Sequence, residues 1–126
     1  MATWKEISVD SLFAAKELLA AGRWRSSTSR AYYTIYACAA SQLTGRATFP
    51  PGRDGPSHEA LPDMIYDFLT KLSIHDRMLY STICGQMYVR RIYADYRPSM
   101  TVDQQLAREA VIWCEAFLKV MEAAYG

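Results

Sequence analysis

Apolar residues recur at helical spacing through five stretches of the chain, and nowhere do apolar and polar residues alternate as in a half-buried strand. Leu12, Ala15, Leu18 and Leu19 predict a first helix from about Val9 to Ala21, with Ser8 or Asp10 as N-cap and Gly22 as a left-handed stop. Tyr32, Ile35, Tyr36, Ala39 and Leu43 predict a second from about Ser27 to Thr44, capped by Ser26 or Ser27 and closed by Gly45. Its small side, Ala37, Ala39, Ala40 and Ser41, suits the crowded middle of a bundle. Leu61, Ile65, Phe68 and Leu72 share one face of a third helix, with Pro62 in its first turn. Val102, Leu106, Ala110, Trp113, Phe117 and Val120 predict a fifth, opened by a Thr101 to Gln104 capping box and running to about Ala124.

The fourth stretch, from about His75 to Tyr96, differs because no polar face can be drawn on it. Met78, Val89 and Ile92 fall on one side, Leu79 and Ile83 on another, and Met87 and Ala94 opposite the first. A helix apolar all round is expected to be covered all round. In so small a domain one flank would face the core and another a second molecule, which predicts a homodimer, or a tight heterologous partner, through this helix. The pattern as a whole predicts an all-α, up-and-down bundle of four to five helices in one domain, residues 1–126.

Composition narrows the picture. A chain of 126 residues can bury a core without staples, and 51% hydrophobic with 21% charged residues is ordinary for a globular domain. The net charge of +1 excludes a generally polybasic surface, so any contact with nucleic acid must come from a local cluster. Cys38, Cys84 and Cys114 are far apart and embedded in apolar helical patterns, which reads as reduced core thiols. The start of the chain has no apolar leader and no run approaches a membrane span, so a cytoplasmic protein is expected. Residues 45–57, G-R-A-T-F-P-P-G-R-D-G-P-S, form a long loop of a kind that is often a lid or mobile.

The chemistry concentrates between Met87 and Pro98, M-Y-V-R-R-I-Y-A-D-Y-R-P. Arg91 and Asp95 stand four residues apart and share a helix face. Pro98 ends the helix, so Asp95 sits in a last turn whose carbonyls already carry negative charge. The conflict requires compensation from cations. Outside this stretch, Tyr32 and Tyr33 read as core or core-edge aromatics with hydroxyls at the surface, and His75 as a cap-region residue. His58, near the start of the third helix, is a histidine with no second metal ligand at zinc spacing, and neither a metal nor a cofactor is expected.

Three pieces line up in order: S-R-A-Y-Y from Ser29 to Tyr33, S-H-E-A-L from Ser57 to Leu61, and R-I-Y-A-D-Y from Arg91 to Tyr96. Together they resemble signatures of the HEPN family of small bacterial and archaeal proteins. The resemblance implies a dimerising helical bundle in which the arginine-bearing helices of two protomers form a shared cleft. It also implies a toxin–antitoxin or defence role beside a minimal nucleotidyltransferase, and, for many members, metal-independent ribonuclease activity with an R-x4-6-H motif. This chain departs from that motif, because Asp95, Tyr96, Arg97 and Pro98 follow Arg91 where a histidine would stand.

Three readings of the cleft follow. In the catalytic one, Asp95 acts as base, His58 enters from the neighbouring helix and Arg91 stabilises the phosphorane charge. In the binding one, Arg90, Arg91, Arg97 and Arg30 hold phosphates of RNA or a nucleotide, while Tyr33, Tyr93 or Tyr96 stacks on a base. Tyr96 is then also a candidate for adenylylation by the partner enzyme. In the third, Arg91 and Asp95 only pin the helix end and the dimer.

Overall fold

Local capping decides where the helices begin in the computed structural model, which describes residues 1–126. α1 spans Trp4–Ala20, α2 Trp24–Leu43, α3 Leu61–Phe68, α4 Ile74–Tyr96 and α5 Gln104–Tyr125, with no strand. α1 opens earlier than the expected Val9, because Thr3 rather than Ser8 or Asp10 is the cap: its hydroxyl accepts from the Glu6 backbone N–H. Ser8 is instead buried in the helix. Gly22 adopts the left-handed conformation expected of it, at φ 77°.

α2 begins at Trp24, before Ser26 and Ser27, and no side chain caps it. Ser27 lies inside the helix, fully buried, donating to the Ala15 carbonyl of α1 at 2.7 Å. α3 stops at Phe68, short of Leu72, because the chain turns there so that both Leu69 and Leu72 enter the core. Asp103, not Thr101, caps α5, accepting from the Leu106 N–H at 3.0 Å. Ser73 caps α4 in the same way.

Pairwise contacts give the topology. Ser27 on Ala15 runs α2 antiparallel to α1, Tyr33 on Arg91 runs α4 antiparallel to α2, and Arg90 on Glu109 with Tyr80 on Phe117 runs α5 antiparallel to α4. The four long helices therefore alternate up and down, and α3 is a short piece packed on α4. α2 is the central element. Of its small side, Ala37, Ala39 and Ala40 are buried and Ser41 is half-buried, and Tyr32, Ile35 and Leu43 join Leu61, Ile65, Cys84, Met87 and Phe117 in one core. All three cysteines are free and buried, and burial pushes each thiol up to about 12. No helix is long and apolar enough to cross a membrane.

The long loop is tied down rather than free. Trp4 Nε1 donates to the Asp54 carbonyl at 3.3 Å and the Tyr36 hydroxyl to the Pro56 carbonyl at 2.7 Å. Gly55 is needed beneath them, because a Cβ there would lie 2.5 Å from the Tyr36 oxygen.

In the single chain α4 is covered on one flank only. Tyr80, Ile83, Cys84, Met87 and Ala94 are buried, whereas Ile74, Met78, Val89 and Tyr96 on the opposite flank are 46–62% exposed. The expectation of a helix covered all round therefore does not hold within one protomer. This flank reads Met78, Thr82, Gly85, Val89, Ile92, Tyr96, an alternating four-and-three spacing that keeps one seam along the helix, with Gly85 and Ile92 half-buried within the single chain. At its midpoint a Cβ on Gly85 would meet only Pro62, at 3.9 Å.

Candidate functional site

The N-terminal half of α2 lies along the C-terminal half of α4, and the three sequence pieces meet there. The end of α4 carries no basic residue in its last turn, so its carbonyls must find donors elsewhere. Arg25 of α2 supplies them. Its guanidinium donates to the carbonyls of Tyr93 at 2.8 Å, Ala94 at 3.2 Å, Arg97 at 3.3 Å and Pro98 at 3.2 Å, and also to Met100. A cation on the negative end of the helix removes half of the conflict around Asp95.

Ser29 and Arg91 remove the other half. The Ser29 hydroxyl donates to Asp95 Oδ2 at 3.0 Å, and Arg91 Nε lies 3.1 Å from the same oxygen, an ion pair whose angle is too poor for a hydrogen bond. Arg91 Nη2 donates to the Tyr33 hydroxyl at 2.8 Å, and the guanidinium lies over the rings of Tyr33 and Tyr96, 5.4 and 5.2 Å from their centroids. Its side chain is only 13% exposed. Nε is buried and has no hydrogen-bond partner, so the guanidinium keeps unused donor capacity. Arg30 adds a second guanidinium over Tyr33, at 5.0 Å.

His58 closes the cluster from the turn before α3. The Tyr32 hydroxyl and His58 Nδ1 are 2.7 Å apart, the imidazole stacks on Tyr88 with an interplanar angle of 5°, and Tyr33 and Tyr36 flank it. Burial, then the charges of Arg91 and Arg53, hold the His58 pKa below its ordinary value, so the ring is neutral at neutral pH. The Tyr32 hydroxyl is not at the surface as the sequence suggested. Tyr32 is fully buried, and burial first, then neighbouring Cys84 and tyrosines, drives its pKa upward.

The structure thus brings together Arg91, Asp95, Tyr33, Tyr96, Arg30 and His58. It separates Arg90, which points the other way, to α5: Nη2 pairs with Glu109 Oε1 at 2.5 Å, the group lies 4.5 Å from the Trp113 ring centroid, and Nη1 is buried without a partner. Adjacent positions on a helix diverge by 100°, so Arg90 and Arg91 cannot serve one ligand from one protomer. Arg97 lies at the margin, exposed beyond the helix end. Sequence reasoning missed Arg25 and Ser29 as the groups that make Asp95 tolerable, whose partners stand 66 to 75 positions away, and Tyr88 as the platform for His58; no local spacing links residues so far apart. No group of three His, Cys, Asp or Glu side chains stands where it could hold a metal ion.

No protein-family model matches the chain, and no curated protein or solved structure matches it significantly.

Proposed function

We propose that the chain is a HEPN-like protein that binds phosphate groups of an RNA or nucleotide in a cleft completed by a second copy packed along α4. The observation that carries this reading is Arg91. It is held at 13% exposure against α2 by Tyr33 and Asp95, its Nε lacks a hydrogen-bond partner, and only Tyr96, packed over the guanidinium, links it to the apolar seam. A cation fixed in a partly desolvated site attracts a phosphate more strongly than a solvated one. Tyr96, 62% exposed, is available for stacking, and Arg30 and Arg97 extend the positive rim. Arg90, tied to Glu109 and Trp113 of α5, stands outside this site. In the same reading the protein is cytoplasmic and acts in a toxin–antitoxin or defence pair with a minimal nucleotidyltransferase.

The test is fluorescence anisotropy of a labelled mixed-sequence oligoribonucleotide. Arg91→Ala is expected to weaken binding about tenfold or more, with a shallower salt dependence than wild type. Equal affinity and equal salt slope in the two proteins would refute the site.

A second reading is favoured by His58, a neutral imidazole beside Arg91 whose Nδ1 is fixed by Tyr32. With Nδ1–H donating to the Tyr32 oxygen, such a ring can take a proton through Nε2, the role the missing R-x4-6-H histidine would fill. Purified protein should then cut RNA without added metal, and His58→Asn should abolish cutting while leaving binding intact. Cutting that persists equally in His58→Asn and Arg91→Ala would remove the catalytic reading and leave the binding one.

A further inference from the structure

The outer face of α1, which does not touch α4, carries a row of carboxylates. α1 packs against α2 and α5. Its solvent side presents Glu6, Val9, Asp10, Phe13 and Glu17, spaced i, i+3, i+4, i+7 and i+11 along one row. Phe13 is 66% exposed and Val9 57%, a contiguous apolar pair one turn apart. Shallow depressions flank Phe13 on both sides, one lined by Lys5, Glu6, Val9 and Asp10, the other by Asp10, Ala14, Glu17, Leu18 and Arg23, so each holds two carboxylates and one cation. None of the three carboxylates is paired with a cation: Lys5 pairs with Glu122 and Lys16 with Glu115, both on α5, and Arg23 stands only at the far end of the row.

An exposed aromatic between unpaired carboxylates selects among occupants. A second copy in two-fold contact would bring two rows of unpaired carboxylates onto one interface, which opposes self-association through this face. Nucleic acid and anionic lipid surfaces are repelled by the same charges. A segment with apolar side chains for the two depressions and lysine or arginine on either side is complementary in both respects. We infer that the outer face of α1 is the docking surface for a cationic amphipathic helix of a partner protein. The molecule would then hold phosphate at the Arg91 cluster and a basic protein segment on α1.

The test uses the full chain and two synthetic peptides, an amphipathic Leu/Lys helix and its Leu/Glu counterpart, followed by backbone amide chemical shifts. The Leu/Lys peptide is expected to perturb α1 and the turn at Gly22, with affinity falling as salt rises. Phe13→Ser and Asp10→Lys should each weaken it about tenfold or more. Both positions are exposed, and circular dichroism checks that the variants keep the wild-type helix content. Arg91→Ala should leave peptide binding unchanged. No binding, shifts confined to other faces, equal binding of the Leu/Glu peptide, or undiminished affinity in both α1 variants would each overturn the assignment. Conversion of a dimer to a monomer by Phe13→Ser would also overturn it, by giving the face to a second copy.

Discussion

Arg25 holds the C-terminal end of α4 through hydrogen bonds to five main-chain carbonyls, and no other side chain is placed to replace it. Hydrogen bonds from a charged donor contribute more than neutral ones, so Arg25→Ala should destabilise the fold by about 2 kcal/mol in urea titrations. An unchanged midpoint would mean that water satisfies those carbonyls equally well. Gly55→Ala should cost about 1 to 2 kcal/mol, because the new methyl must displace the Tyr36 hydroxyl from the Pro56 carbonyl. His58 gives a pH test. Its folded pKa lies below the ordinary 6.5 of the unfolded chain, so between the two values the unfolded state binds more protons. Stability from this group is complete above that ordinary value and falls as pH drops towards the folded pKa. Wild type should therefore lose stability more steeply than His58→Asn on acidification below pH 6.5; parallel curves would refute the shift. At this scale the sequence named Arg91, Asp95, His58, Tyr33, Tyr96 and Arg30, which converge, and also Arg90 and Arg97, which do not: Arg90 turns to α5 and Arg97 lies beyond the helix end. Arg25 and Ser29 were invisible for a physical reason: their partners lie on α4, and only the antiparallel packing of α2 on α4 sets that pairing.

Among the elements, helix type was legible from periodicity, whereas helix starts were not. Thr3 and Asp103 displaced better-placed hydroxyls as caps, since an extended backbone at the cap position, not the residue type alone, decides which side chain reaches the free N–H groups. Ser27 shows the converse: it has capping chemistry, yet its hydroxyl is used to fasten α2 to α1. α4 is the element on which the proposal turns. Its absent polar face was plain in the sequence, and the single chain indeed leaves Met78, Val89 and Tyr96 open. Val89→Glu should place a charge in the seam beside Gly85 and yield a monomer by light scattering at tens of micromolar, with helix content unchanged. A wild type that is already monomeric under those conditions would remove the two-protomer cleft.

For the molecule as a whole, the all-α bundle followed from five periodic stretches and short connections, and the order of the helices follows from the side-chain pairings between them. The charge map was not legible, because a net charge of +1 conceals a basic cluster between α2 and α4 and a row of carboxylates on α1, which does not touch α4. The central claim is a phosphate-binding seam shared by two protomers, and calorimetric titration of a short oligoribonucleotide into the wild-type protein tests it most directly. The account predicts one strong ligand per two protomers, with binding lost both in Arg91→Ala and in the monomeric Val89→Glu. Binding of one ligand per protomer that survives in Val89→Glu, or no binding to wild type, would contradict it.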